Sequence, residues 1–138
     1  MAGYSGTPLP KKLGIKDNFR VAFHDLPKDV ATELKESLSG CTVLRKPAAP
    51  LDLVMLFTSG RDELLKQLPI HAKHLAPAGM LWVSWPKKSS GIACDMNEND
   101  IRAIGLAAGL VDVKVCAVND LWSGLKFVIP VKARKRSS

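Results

Sequence analysis

The sequence lacks the features that are typical of a membrane or secreted protein. It has no run of about 18 apolar residues, the length that a membrane-spanning helix needs. Its first residues contain neither the basic stretch nor the apolar stretch of a signal peptide. The three cysteines stand far apart and outside any CxxC pattern, so they indicate neither a disulfide framework nor a zinc site. We therefore expect a protein of the reducing cytoplasm with no membrane partner.

Basic residues exceed acidic ones, but they are unevenly placed. The 138 residues have a formal net charge of +7 at pH 7, from 20 lysines and arginines and 13 acidic residues. Four of the basic residues fall at the end of the chain, at Lys132, Arg134, Lys135 and Arg136. Together with Lys11 and Lys12 near the start, they allow an interpretation in which the protein contacts nucleic acid. The alternative is a solvated, disordered tail that aids solubility.

Hydrophobic periodicity predicts alternating strands and helices after a short N-terminal helix. The predicted strands cover residues 19–24, 41–44, 51–57, 80–85, 111–118 and 124–131, and the predicted longer helices cover 27–38, 59–75 and 98–108. Ser59 is expected to cap the second of these helices, and Pro69 to kink or split it. Residues 77–79 are expected to form a turn.

This pattern predicts a three-layer α/β domain with helices on both faces of a mostly parallel sheet. The domain is expected to cover residues 19–131, between an N-terminal arm at 1–18 and a basic disordered tail at 132–138. The last two strands are close enough in sequence to form an antiparallel hairpin.

Polar residues gather where the predicted strands end. Ligands of open α/β sheets bind beyond the carboxyl ends of the strands, near the point where strand order reverses. The loop after the fourth predicted strand exceeds the usual length of about two to six residues, and it contains Lys87, Lys88, Ser89 and Ser90. The other strand ends supply His24, Asp25, Thr58, Ser59, Asp120, Trp122 and Ser123. Because ammonium and hydroxyl groups bind phosphate and carboxylate well, we expect an anionic small molecule or a protein partner at this edge.

Each of these residues also has a purely structural interpretation. The lysines could be solvated, and Trp122 could fill the core instead of stacking on a ligand. His24 beside Asp25 could act as an acid–base pair, although neighbouring strand residues point to opposite faces. Cys94 lies in a loop, where a reactive thiol would need an activating base. No third ligand accompanies His71 and His74, so no metal site is predicted.

Two stretches resemble S-adenosylmethionine-dependent methyltransferases. Residues 75–83 (LAPAGMLWV) are similar to the turn and strand late in their core, and residues 107–113 (AAGLVDV) to the following helix end and strand. The resemblance implies a Rossmann-like sheet of about six strands in the order 2-1-3-4-6-5, with the last strand antiparallel and inserted. It also implies, as an alternative function, a divergent methyltransferase-like enzyme that uses S-adenosylmethionine.

The chain departs from that family where the cofactor binds. Methyltransferases place a glycine-rich turn after the first strand, but residues 24–29 (HDLPKD) contain no glycine. The acidic residue that closes their second strand is also missing, because Leu44 is followed by Arg45 and Lys46. No cofactor is therefore predicted, and standard S-adenosylmethionine binding is not expected.

Nearly the whole chain also resembles a bacterial family of small cytoplasmic proteins, domain of unknown function 3052. The likeness lies in residues 3–9 (GYSGTPL), 85–91 (WPKKSSG) and 120–125 (DLWSGL). That family implies a fold but no activity. The leading interpretation is thus a Rossmann-like module, non-catalytic or of unassigned activity, that binds an anionic ligand or partner at the sheet edge.

Overall fold

The computed structural model describes residues 7–134. The strands are β1 (Arg20–His24), β2 (Thr42–Leu44), β3 (Leu51–Phe57), β4 (Leu75–Pro86), β5 (Val111–Ala117) and β6 (Trp122–Val128). The helices are α1 (Leu9–Leu13), α2 (Lys28–Leu38), α3 (Arg61–Ala72) and α4 (Glu98–Ala107). Single 3₁₀ turns cover Lys88–Ser90 and Val131–Ala133. In the described range, no helix has the length and apolar character that crossing a membrane requires.

The strands form one six-stranded sheet in the order β2-β1-β3-β4-β6-β5. The first four pair in parallel, whereas β6 runs antiparallel to both of its neighbours. This confirms the predicted strand order and the inserted antiparallel last strand. Since β5 is antiparallel to β6, it runs parallel to β4, and its carboxyl end reaches the same edge of the sheet as the ends of β1, β3 and β4.

Alternate residues of the central strands supply two hydrophobic cores, as expected of a sheet covered on both sides. On one side, the α3/α4 face, Val54 and Leu56 pack with Leu64 of α3 and Ile101 of α4. On the other side, the α1/α2 face, the buried residues are Leu53, Met55, Phe57 and Trp82 from the sheet, Leu9 and Leu13 from α1, and Val30 and Leu34 from α2.

The N-terminal arm is part of this second core. Leu9 and Leu13 are both buried, in agreement with their four-residue spacing. The indole Nε1 of Trp82 donates a buried hydrogen bond of 3.1 Å to the carbonyl oxygen of Leu13. Gly14 ends α1 with a φ of 83°, a conformation that glycine adopts at little cost. The arm therefore lies directly over the middle of β4.

Two local predictions are wrong. Pro69 does not split α3, which continues to Ala72; the proline removes only the N–H that would have bonded to Leu65, a residue that is 49% exposed. Residues 77–79 do not form a separate turn, because β4 already begins at Leu75. They form a bulge between the pairs Leu51↔Leu75 and Leu53↔Met80.

The C-terminal strand is shifted from its predicted position. It begins at Trp122 and ends at Val128, whereas the sequence predicted residues 124–131. Lys132 lies in a 3₁₀ turn, and Nε of Arg134 donates to the carbonyl of Ile129 at 3.0 Å. Lys135 and Arg136 lie outside the described residues.

Candidate functional site at the carboxyl edge of the sheet

The lysine loop, residues 87–97, is held in place by internal hydrogen bonds. The N–H of Lys87 donates to the carbonyl of Leu121 at 2.8 Å, which joins this loop to the β5–β6 connection. The hydroxyl of Ser90 donates to the carbonyl of Lys87 at 2.7 Å and accepts from the N–H of Ile92 at 3.1 Å. Ser90 therefore supports the loop, while Ser89 is exposed beside it.

A cavity of about 510 Å³ opens under this loop on the α3/α4 face. Its lining includes Lys87, Lys88 and Ser123, three of the residues predicted from the sequence. Apolar parts of the wall come from Trp85, Pro86, Ile92 and Met96, and Gly91, Cys94 and Glu98 complete it. The structure thus brings two ammonium groups and one hydroxyl to a space large enough for a small molecule.

Cys94 is part of the cavity wall. Its thiol donates to the carbonyl of Met96 at 3.4 Å. The carboxylate of Glu98, also in the wall, is 2.7 Å from Nη2 of Arg102, so its charge already has a partner. Neither Lys87 nor Lys88 takes part in any of the ion pairs described for residues 7–134. Their charges are therefore available to a ligand in this cavity.

The start of α3 is occupied by an internal carboxylate. Gly60 is the N-cap residue, and Ser59, predicted for that role, makes no capping bond. Oδ1 of Asp95 instead accepts from the N–H of Arg61 at 2.7 Å, which places a negative charge at the positive end of the helix dipole. The hydroxyl of Thr58 accepts from the N–H of Gly60 at 3.2 Å. Thr58 and Ser59 thus lie at the predicted edge, and the N–H groups of Gly60 and Arg61 beside them already have acceptors within the protein.

Asp95 and Asn97, two polar residues just before α4, cap different helices. The side chain of Asn97 accepts from the N–H of Asp100, while the Asp100 carboxylate accepts from the N–H of Asn97, both at 2.9 Å. This reciprocal capping box fixes the start of α4. Asp95 is then available to α3, a role that sequence reasoning missed because it joins residues far apart in the chain.

His24 and Asp25 lie at the end of β1 beside Glu63 of α3. Nε2 of His24 is 2.8 Å from Oε1 of Glu63 and 3.4 Å from Oδ2 of Asp25, but neither contact has the direction of a hydrogen bond. The ring of buried His71 is 6.4 Å from that of His24. Burial lowers the pKa of His71, and its Nδ1 donates to the carbonyl of Gln67 at 3.0 Å. From the sequence, Glu63 was missed and His71 was considered only as a metal ligand, because neither residue stands at a strand end.

The β5–β6 connection reaches across the edge to the start of α2. Nδ2 of Asn119 donates to Oδ2 of Asp29 at 3.0 Å. Oδ1 of the same amide accepts from the N–H groups of Leu121 and Trp122, both at 2.9 Å. Since β1 and β6 are separated in the sheet by β3 and β4, this bridge passes over the ends of both central strands.

Under the bridge, aromatic side chains fill the edge on the α1/α2 face. The indole of Trp122 meets the ring of Phe57 edge-on, with centroids 5.2 Å apart and an interplanar angle of 82°. Leu26, from the turn after β1, packs partly buried against the same core. Trp122 therefore follows the core interpretation, while Asp120 is exposed on the connection.

The turn after β1 uses aspartate where glycine is usual. Asp25 has a φ of 53°, in the left-handed region that asparagine and aspartate tolerate better than other side chains. The turn thus adopts the left-handed conformation at a residue that carries a side chain. A glycine there would leave the backbone more accessible to a ligand.

The comparisons with solved structures identify the fold. Methyltransferases that act with S-adenosylmethionine share this architecture. Magnesium protoporphyrin IX methyltransferase from Synechocystis PCC 6803, a structure with bound SAH, is 12% identical and gives a TM-score of 0.59 over 88% of this chain and 78% of that one. A SAM-dependent methyltransferase from Aquifex aeolicus is 13% identical and gives a TM-score of 0.57 over 91% of this chain and 89% of that one.

The same fold also carries another reaction. A structure described as a pericyclic reaction enzyme is 12% identical, with a TM-score of 0.58 over 89% of this chain and 47% of that one. No protein-family model matches the sequence, and no similar curated protein is found. The chain therefore has the Rossmann-like fold of the methyltransferases, and at these identities the likeness shows the fold alone. Membership of the domain of unknown function 3052 family stays a prediction.

Proposed function

We propose that the protein uses its methyltransferase-type fold to bind a small anionic ligand in the cavity under the lysine loop. The observation that carries this proposal is the lining of that cavity by Lys87, Lys88 and Ser123. Its volume of about 510 Å³ falls within the range of about 300–1,000 Å³ that is usual for small-molecule sites.

The cavity wall also favours a particular kind of anion. Trp85, Ile92 and Met96 add apolar surface to the wall that holds the two lysines. A ligand with a phosphate or carboxylate at one end and an apolar or aromatic part at the other would contact both. Phosphorylated metabolites and nucleotides have this form, whereas inorganic phosphate would use only the lysine end.

A thermal-shift screen with inorganic phosphate, adenine nucleotides, phosphorylated sugars and S-adenosylmethionine tests the proposal. A ligand at a hundredfold excess over its Kd stabilises the folded state by about 2.7 kcal/mol, which a melting curve readily detects. We expect at least one phosphorylated compound to raise Tm, and Lys87→Gln with Lys88→Gln to weaken its binding at least tenfold.

The matched control replaces Lys66 and Lys73, exposed lysines of α3 and its C-cap, by glutamine. It removes the same net charge at a distance in sequence from the loop and should leave binding unchanged. The proposal fails if no compound in the screen raises Tm. It also fails if the loop variant and the control bind the hit equally well.

A divergent methyltransferase is the second candidate, favoured by the fold. Against it stand the glycine-free turn after β1, the packing of Leu26 and the Asp29–Asn119 bridge. Calorimetry with S-adenosylmethionine separates the two candidates. Binding that survives the Lys87→Gln, Lys88→Gln change but is lost on Leu26→Glu would favour the methyltransferase, and no heat at millimolar cofactor would exclude it.

A further inference from the structure

The sheet is open beyond α1 on the α1/α2 face. Lys126 of β6 pairs with Trp82 of β4, whose ring belongs to the core on that face. Lys114 of β5 pairs with Lys126, so both lysine side chains point to the same side as Trp82. Lys114 is exposed and Lys126 is partly buried. Among the described residues, no helix buries Lys114.

Lys12 of α1 approaches the same surface. Its neighbour Leu13 accepts the hydrogen bond from Trp82, which fixes the helix beside β6. Burial raises the pKa of the Cys116 thiol, and the charges of Lys12 and Lys114 partly oppose this rise. Both lysines therefore lie near Cys116. Lys12, Lys114 and Lys126 thus form one patch, called here the sheet lysines.

These charges have no carboxylate partner. None of the ion pairs among residues 7–134 includes a sheet lysine. The nearby acid of β5, Asp112, contacts Nε of Arg102 at 2.9 Å. Arg102 lies on α4, which packs on the opposite face.

The pairing of Lys114 with Lys126 is unfavourable by itself. Like charges directly opposite on antiparallel strands destabilise a sheet. Lys126 is also partly withdrawn from water, and both this burial and Lys114 lower its pKa. A bound anion between the two strands would relieve the repulsion that the bare protein contains.

We propose that the sheet lysines bind the phosphate backbone of nucleic acid. The surface is an exposed part of the sheet face, which suits a long polyanion better than a small ligand. Lysine contacts phosphate as a point charge, and Trp82 is fully buried and thus unable to stack on a base. The binding is therefore independent of base sequence and electrostatic. This surface is separate from the cavity under the lysine loop, so neither proposal depends on the other.

Fluorescence anisotropy with a labelled 20-base-pair DNA duplex, titrated at several KCl concentrations, tests the proposal. Each phosphate contact contributes about −0.9 to the slope of log K against log salt, so three contacts contribute about −2.7. In the variant with Lys12→Gln, Lys114→Gln and Lys126→Gln, we expect the slope of log K against log salt to become less negative by about this amount. Its affinity for the duplex at low salt should fall at least tenfold. Its Tm should equal or exceed that of the wild type, because a like-charge pair has been removed.

The matched control replaces Lys28, Lys35 and Lys66 by glutamine and thus removes the same charge from exposed positions of α2 and α3. It should retain most of the affinity and slope. Equal losses in both variants would overturn the proposal, and so would the absence of binding by the wild type at low salt. Two further results would overturn it: complete loss of binding on deletion of residues 132–138, and displacement of DNA by inorganic triphosphate at equal phosphate concentration.

Discussion

Replacing Asn119 by aspartate tests the bridge over the carboxyl edge with one change of nearly constant shape. The new side chain keeps an oxygen for the N–H groups of Leu121 and Trp122. It loses the N–H donor that lies 3.0 Å from Oδ2 of Asp29 and places a second carboxylate there. The variant should therefore open the bridge without disturbing the turn below it.

The expected cost follows from two contributions. Two unit charges about 4 Å apart repel by about 1 kcal/mol in water and by about 4 kcal/mol at an effective dielectric constant of about 20. Because Asp29 is exposed, the lower value applies. The lost hydrogen bond to a charged acceptor adds up to about 1 kcal/mol in so solvated a place. We expect the free energy of unfolding to fall by about 1.5–2 kcal/mol.

Urea unfolding at pH 7 measures this loss, and a second substitution identifies its cause. Asp29→Asn should restore most of the stability of Asn119→Asp, since an amide again faces a carboxylate. Asn99→Asp, which adds the same charge at the start of α4, serves as the control. A loss below about 0.3 kcal/mol, or a loss that Asp29→Asn leaves unchanged, would refute the bridge.

Two further predictions concern the α3/α4 face. Alanine is a better helix former than glycine, but Gly105→Ala should lower the free energy of unfolding by about 1–3 kcal/mol. The new Cβ would lie only 2.0 Å from the fully buried ring of Phe127. Gly60→Ala is the control in the same urea unfolding, and it should be nearly neutral because its Cβ meets no atom within 4 Å. Burial lowers the pKa of His71 in the folded protein, so the unfolded state binds more protons than the folded state at acidic pH. The free energy of unfolding should therefore fall as the pH drops below about 6.5. This one proton contributes at most about 1.4 kcal/mol per pH unit. His71→Leu should flatten the stability curve below about pH 6.5, and an unchanged curve would show that His71 does not contribute to it.

The architecture was predictable because the signals that define it are local or topological. The apolar run of β3 indicates a strand covered on both faces. Helical crossovers make the early strands parallel, and the short β5–β6 connection makes the last pair antiparallel. The bulge in β4 was not predictable. Its segment has the residues of a turn, but Gly79 packs so tightly that a Cβ would lie 2.5 Å from the carbonyl oxygen of Leu51, a contact that only the folded sheet creates.

The sequence was sufficient to predict the edge of the sheet at which the candidate site lies. The rule that parallel strands end together correctly brings Lys87 and Ser123 to one place. The hydrogen-bond partners that leave some polar groups available to a ligand and occupy others were not predictable. Side-chain hydrogen bonds between residues far apart in the chain leave no periodic pattern in the sequence. The contact of Asp95 with Arg61 spans 34 residues, and that of Asn119 with Asp29 spans 90.

The insertion of β6 between β4 and β5 has a consequence for the order in which the protein can fold during synthesis. The ribosome makes β5 first, yet β5 pairs only with β6. Until β6 has emerged, β5 has no partner and the edge of β4 is open, and unpaired edges promote aggregation in incomplete chains. Completion of the sheet therefore depends on the last strand of the described chain, and we expect nascent chains that stop before residue 122 to need chaperones more than the finished protein does.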